Sequence, residues 1–321
     1  MRVLITGGAG YVGGVVAVRL RDAGHTVAIL SRRAQPPPRG IAVLTGDLRD
    51  AGGLCELVGA FRPEGVCHLA ARVRVRESLE DPLGYFETNL VGTLHLLRAL
   101  EAAGEPSGRA QPARLVFASA GAVYDATRPS PFREDAPVSP TTPYAASKLA
   151  AEQLISAQAA TGRLAAVTLR TLVIAGSGPR GCRPDNDRSR LVTKALAVAA
   201  GLDPVLAING DGSAVREYTH VSDVADAYLL ALDAARPGEH QLFNIGSGIA
   251  ATISDVIATV EAVTGRSLPV VHRPAQPEPQ ALWLDSGHAR AVLGWRPRCT
   301  TLRALIEDAW VRFRAAGQPV T

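Results

Sequence analysis

The chain has 321 residues, is 47% apolar and carries a net charge of +4 from 34 basic and 30 acidic side chains. That length can bury a large core, as one long α/β unit or one domain with a smaller lobe, and no apolar run reaches the ~20 residues needed to span a bilayer. The arginines are scattered along the sequence with no aromatic–basic stripe, which argues against nucleic acid and for a small anionic ligand.

Arg2–Thr6 reads as a short apolar strand, Gly7-Gly-Ala-Gly10-Tyr11-Val12-Gly13 as a glycine-rich turn, and the stretch to Gly24 as an amphipathic helix. Gly7, Gly10 and Gly13 have the spacing of a dinucleotide-binding turn. The first two let the backbone approach a pyrophosphate at a helix N-terminus, and the third permits close helix–strand packing. A glycine pattern directly after a strand and opening a helix is the context that gives such spacing weight. Strands are predicted at Thr26–Ser31, Ile41–Thr45, Val66–Leu69, Arg114–Ser119 and Leu164–Thr171. Helices are predicted at Ala51–Phe61, Pro82–Ala103 and Pro143–Gly162. Loops are expected at Pro36–Pro38 and Gly104–Pro112. Alternating strands and helices predict α/β architecture, a doubly wound parallel Rossmann sheet over 1–171. From Leu172 the pattern loosens, with loops at Gly176–Arg188 and His272–Gln280 and helices near 189–200, 222–235, 253–264 and 301–315. Residues 172–321 are therefore expected to form mainly a smaller substrate lobe, with some segments returning to the sheet.

Because the N-terminus is already the first strand, no signal peptide is expected. Cys55, Cys67, Cys182 and Cys299 lie far apart without C-x-x-C spacing. Neither a metal site nor a disulfide framework follows, and a reducing cytosol fits.

Only two lysines occur, Lys148 and Lys194, in a chain that otherwise uses arginine for its cations. Lys148 follows Tyr144 by four residues, so on a helix the two side chains share a face. A nearby cation favours phenolate and is expected to lower the tyrosine pKa, which suits proton transfer near neutrality. By itself the pentapeptide also fits an ordinary surface helix; the glycine turn makes the catalytic reading the stronger.

Together these residues resemble the extended short-chain dehydrogenase/reductases, most closely the branch of UDP-glucose 4-epimerase-like nucleotide-sugar enzymes, over nearly the whole chain. Asp47 and Leu48 resemble the residues flanking the adenine, and Leu69, Ala70 and Ala71 the strand end beside the cofactor. Asn89 resembles part of the helix supporting it. The run from Gly210 to Asp223 is similar to the family's substrate-lobe signature, whose arginine, here Arg216, would reach a nucleotide-sugar phosphate; a solvated turn is the plainer alternative. The resemblance implies that Tyr144 exchanges a proton with the sugar's 4-hydroxyl, that Lys148 holds the nicotinamide ribose, and that the protein is a homodimer, with no nucleic-acid or membrane partner.

Departures from that pattern are specific. The hydroxyl partner of the tyrosine is replaced by Ala120. Ser119 stands one residue earlier, on the other face of an ideal strand, so it acts only if the backbone shifts; otherwise water or substrate carries that hydrogen bond. The acid expected at the end of the second strand is Ser31, followed by Arg32 and Arg33, two guanidinium groups suited to a 2′-phosphate. NADP is thus favoured over NAD, unless these are ordinary loop arginines. Val173 replaces an asparagine expected near the diphosphate, and Arg273 is either a substitute phosphate ligand or a surface charge. Gly121 and Ala122 occupy the places of a dehydratase acid pair, which disfavours dehydration. The expected activity is nucleotide-sugar 4-epimerisation. The alternatives are an NADPH-dependent ketoreductase acting on a 4-keto sugar or a natural product, and a cofactor-binding protein with little chemistry.

Overall fold

Strand β1 (Arg2–Thr6) leads into helix α1 (Tyr11–Asp22), β2 (Thr26–Ser31), β3 (Ala42–Thr45), α2 (Ala51–Phe61) and β4 (Gly65–His68). There follow α3 (Val75–Glu80), α4 (Pro82–Phe86), a π-helical turn over Glu87–Val91, α5 (Gly92–Gly104), β5 (Ala113–Ala120), α6 (Pro143–Ala160) and β6 (Leu164–Thr171). The second half adds β7 (Val173–Ala175), α7 (Leu191–Ala199), β8 (Leu206–Asn209), β9 (Val215–His220), α8 (Val221–Ala234) and β10 (His240–Asn244). It ends with β11 (Ala250–Thr252), α9 (Ile253–Thr264), β12 (Val270–Arg273), β13 (Ala281–Leu282), α10 (Gly287–Val292) and α11 (Leu302–Gly317). This computed structural model describes residues 1–33, 37–104, 112–276 and 278–317; most of the loop expected at Gly104–Pro112, and Pro36 of the other, lie outside the described residues.

Seven parallel strands form the central sheet in the order β10-β6-β5-β4-β1-β2-β3. The strands are near-continuous apolar runs because both faces are covered. On one face Val15, Val16 and Leu20 of α1 pack with Val224, Ala227 and Tyr228 of α8. On the other, Leu54 and Val58 of α2, Leu96 and Leu100 of α5, and Ala151 and Ile155 of α6 close the second core. This is the doubly wound Rossmann α/β fold. Its strand order reverses between β1 and β4, and the crevice at that switch point is where such sheets bind ligands. β10 enters the sheet from the second half of the chain, beside β6.

The remaining strands build small sheets, β11-β9-β13 with β7 against β9, and β12 against β8. They pack with α7, α9 and α11 around a third core containing Leu196, Tyr218, Val256 and Leu305. Fully buried Trp295 ties this region to α8: its Nε1 donates to the Asp223 carbonyl at 2.8 Å, and the Asp223 carboxylate accepts from the Arg298 and Cys299 amides.

Two expectations need correction. The single helix expected over 82–103 is broken into α4, the π turn and α5. The π turn holds Asn89, whose side chain reaches the backbone of Arg72, and such turns mark places where a helix yields to a local contact. The loop expected from His272 starts later, because Val270–Arg273 pairs with Leu206–Asn209 as a parallel strand.

Candidate active site

The cleft over the carboxyl ends of the central strands has a volume of about 1480 Å³. Its floor is the glycine turn. Gly7 has φ +74°, and a Cβ there would lie 2.7 Å from the Ala70 nitrogen. A Cβ on Gly13 would lie 2.3 Å from the Gly7 carbonyl oxygen, so the turn closes on itself only without side chains. Helix α1 begins at Tyr11 with Gly10 as its cap and no side chain over its first amides, which leaves them free for an anion. The Tyr11 hydroxyl donates to the Gly176 carbonyl at 2.7 Å, and Val12 packs against the core. The turn therefore has the shape and donors a dinucleotide pyrophosphate requires.

Ser31, Arg32, Arg33, Asp47 and Leu48 line the adenosine end. Ser31 Oγ donates to the Arg33 carbonyl at 2.9 Å. The Arg49 side chain bonds Asp47 and, with a smaller contribution from Arg32, holds its carboxyl below the usual range. Leu69, Ala70 and Ala71 form the wall beyond β4. That wall is held from beneath. Thr93 donates to the Asn89 carbonyl, so His68 Nε2–H must donate to Thr93; His68 Nδ1 then accepts from Thr6, and Thr6 accepts the Ala70 N–H. Burial, assisted by Lys148, drives His68 down to about 3, so it stays neutral.

Asn89, expected in the helix that supports the cofactor and as a cofactor-binding residue, stands behind the cleft wall. It is buried, its amide is engaged by the Arg72 backbone and Ser147 Oγ, and it does not line the cleft. It supports the wall and α6 instead.

Thr142 caps α6, accepting from the Ala145 amide at 3.3 Å, and Pro143 starts the first turn. Tyr144 and Lys148 then both line the cleft from one helical face, with Tyr144 edge-on to Tyr85. Lys148 Nζ sits 4.4 Å from the centre of the Phe117 ring. The expected lowering of the tyrosine pKa is overturned for this cleft. Burial pushes Tyr144 up to about 12 and Lys148 down to about 7, outweighing the help of Arg190 and Glu152 respectively. Lys148 is buried and Tyr144 half-buried, and a lysine that is itself losing its proton is a weak source of field.

Ser119 and Ala120, the last two residues of β5, both line the cleft. Ser119 Oγ is buried and makes no hydrogen bond within the protein. Thr171, aligned with Ala120 across β5 and β6, lines the cleft together with Val173, Arg183 and Arg190. Thr171, Arg183 and Arg190 were missed from sequence, since nothing local separates them from other loop and strand-end residues. Arg216 and Arg273 are not among the cleft-lining residues. Arg216 is largely buried on β9 and faces Glu278 at 3.5 Å, while Arg273 is exposed on β12. Among the described residues no His, Cys, Asp or Glu cluster could hold a metal, and no helix is long and apolar enough to cross a membrane.

A family model described as the NAD dependent epimerase/dehydratase family matches residues 3–246. The UDP-glucose 4-epimerase of Streptomyces lividans is 38% identical over 322 residues, covering 96% of this chain and 95% of that protein. That of Corynebacterium glutamicum is 36% identical over 328 residues, covering 99% and 97%. Among solved structures, the UDP-glucose 4-epimerase of Stenotrophomonas maltophila with bound NAD and formylated UDP-arabinopyranose matches with a TM-score of 0.89 at 33% identity, covering 98% of each chain.

Proposed function

The chain belongs to the NAD dependent epimerase/dehydratase family, and we propose that it is an extended short-chain dehydrogenase-type enzyme that interconverts nucleotide sugars at C4. The observation that carries this reading is the meeting of Tyr144 and Lys148 with the glycine turn in one cleft. The named relatives are 4-epimerases, so the ketoreductase alternative loses support.

Gly7, Gly10, Tyr11, Val12 and Gly13 would hold the pyrophosphate, Leu69–Ala71 the nicotinamide side, and Lys148 its ribose. When bound, the dinucleotide supplies reversible acceptance of hydride from C4, whose return to the opposite face inverts that carbon. Tyr144 takes the 4-hydroxyl proton and gives it back. In the ligand-free cleft the phenol holds its proton near neutrality, so it first loses that proton to solvent, helped by positive charge that ligand binding brings next to it, and only then accepts the one from the 4-hydroxyl. Lys148, keeping its proton once it donates to ligand oxygens, supplies part of that charge. Ser119 Oγ is the hydroxyl that completes the set in place of the absent one at Ala120. Arg216 takes the substrate diphosphate, with Arg273 beside it.

For the dinucleotide, the relative solved with NAD supports NAD as the resident form. The expected NADP preference rests on Arg32 and Arg33, and Arg32 already acts on Asp47. In this reading the two arginines let NADP enter as well. We further read 1–171 as the dinucleotide-binding unit and 172–321 as the substrate lobe. A homodimer pairing the α4–α5 and α6 region is favoured by exposed Leu79 and Leu83 nearby, and a reducing cytosol by the free thiols.

The decisive experiment incubates the protein with NAD and UDP-galactose or UDP-glucose without added reductant. The two should interconvert; absence of C4 inversion in every nucleotide sugar tried would overturn the reading. Denaturing the purified protein and identifying the released dinucleotide tests the cofactor.

A further inference from the structure

Tyr144 is held by more than its own helix, and one residue of the cleft wall, Arg72, reaches it by two routes. The first runs through the backbone. Asn89 Oδ1 accepts the Arg72 N–H at 2.8 Å, and Asn89 Nδ2 donates to the Arg72 carbonyl at 3.1 Å. The same Nδ2 donates to Ser147 Oγ at 2.9 Å, and the Ser147 hydroxyl donates to the Tyr144 carbonyl at 2.7 Å. Arg72 is thereby tied to the first turn of α6.

The second route runs through a ring. Tyr85 of α4 is fully buried, and its ring stands at 85° to that of Tyr144 with centroids 6.5 Å apart, a perpendicular arrangement that aromatic pairs favour. The Arg72 guanidinium lies over the Tyr85 ring, 4.5 Å from its centroid, and the Tyr85 hydroxyl donates to the Arg74 carbonyl at 2.6 Å. Two carboxylates hold that guanidinium: Glu77 Oε1 accepts from NH2 at 2.5 Å, and Asp81 accepts from NH1. Asp81 also caps α4, accepting the Gly84 amide at 3.0 Å. A Cβ on Gly84 would lie 2.4 Å from both Arg72 NH1 and Asp81 Oδ2, so this pair lies against the helix only because that residue is glycine. Arg72, Glu77 and Asp81 line the cleft, whereas Tyr85 is not among the lining residues. Tyr85 therefore acts on the chemistry through Tyr144 and not through contact with a ligand.

We propose that Tyr85, clamped by Arg72, Glu77 and Asp81, is a positioning residue that sets the ring angle of Tyr144 for proton exchange with the sugar's 4-hydroxyl. This rests on the 4-epimerase reading above. A tyrosine on a helix can still swing about its two side-chain bonds, and proton transfer needs its oxygen within about 2.6–3.2 Å of the reacting one. A misplacement of about 1 Å can cost about 100-fold in rate. A perpendicular ring packed against Tyr144, and itself fixed at its hydroxyl and on one face, restricts that swing.

Steady-state kinetics of Tyr85→Leu, Tyr85→Phe and Gly84→Ala test it. Tyr85→Leu should lower kcat about 10- to 100-fold while KM for the nucleotide sugar and the dinucleotide content stay within about twofold. Tyr85→Phe keeps the ring and should return kcat to within about threefold of wild type. Gly84→Ala favours the helix, but its Cβ must push the Arg72–Asp81 pair aside, so kcat should fall about 3- to 10-fold. That variant carries the test should Tyr85→Leu not fold. A Tyr85→Leu kcat within about twofold of wild type, or a loss matched by raised KM and lost dinucleotide, overturns the positioning role. Carbon-13 relaxation of ring-labelled tyrosine, with the Tyr144 signal identified by its loss in Tyr144→Phe, reads ring mobility without substrate. The Tyr144 ring should gain motion in Tyr85→Leu and keep its wild-type value in Tyr85→Phe; equal mobility in all three overturns the clamp. Failure of wild type to invert any nucleotide sugar would instead overturn the epimerase reading, and the relaxation measurement then decides the clamp by itself.

Discussion

Arg170 of β6 and Glu152 of α6 form a two-pronged ion pair one helical turn beyond Lys148, with Nε–Oε1 at 3.0 Å and NH2–Oε2 at 2.5 Å. Both side chains are buried, at 5% and 6% exposure. The guanidinium also stacks over Tyr124, whose hydroxyl donates to Asn244 of β10. The pair thus fastens the helix bearing the acid–base residues to two strands of the sheet. Removing one partner leaves the other charge buried alone, so Arg170→Ala should cost about 3–5 kcal/mol in urea unfolding. Its residual activity should fall as well, because α6 loses its register on the sheet.

Lys148 makes a pH prediction for the protein without ligands. Its pKa falls from its ordinary value near 10.5 to about 7 on folding. Between those values the unfolded chain binds the extra proton, so stability rises with pH across about 7 to 10.5 and the penalty is fully present below about 7. Lys148→Met should abolish this slope and be more stable than wild type near pH 6. Unfolding midpoints at pH 6 and pH 9.5 for the two proteins check it; equal slopes would show that Lys148 is not desolvated.

Tyr144→Phe should reduce kcat about 10²- to 10⁴-fold, the range for loss of a positioned acid–base group. UDP affinity, measured separately, should stay within about twofold, since the phenol contributes to proton transfer and not to the diphosphate site.

Ser119 couples function to stability. Its buried Oγ has no partner, so Ser119→Ala should stabilise the free protein by about 1 kcal/mol by removing a desolvated hydroxyl. The same change should lower kcat about tenfold or more if that hydroxyl serves the reaction. Ala120→Ser tests the converse, and should restore part of the activity lost in Ser119→Ala. Thermal melts and steady-state rates read both effects.

Gly13→Ala should remove dinucleotide binding. The added Cβ would sit 2.3 Å from a backbone oxygen that has no rotamer to escape into. The dinucleotide released on denaturation, measured per chain, should drop to near zero, while Gly14→Ala, whose Cβ would stand 3.5 Å from its neighbour, should retain it.

What the amino-acid order determined by itself was local. The glycine turn between β1 and α1 is set locally at Gly13, whose Cβ would strike Gly7 within the turn itself. Tyr144 and Lys148 share a face because a helix repeats every 3.6 residues. The alternation of apolar strands with amphipathic helices was enough for the parallel sheet. Tertiary structure decided everything that depends on distant partners. Asn89 supports the cleft wall because its amide meets Arg72 and Ser147. Ser119 lines the cleft because the carboxyl end of β5 opens onto it. Thr171, Arg183 and Arg190 join the site, and Arg76 meets Glu278 from 202 positions away. The direction of the Tyr144 and Lys148 pKa values belongs to this second kind. Charge spacing is written along a helix, but desolvation is the summed effect of neighbours from many segments, and here it outweighed the charges.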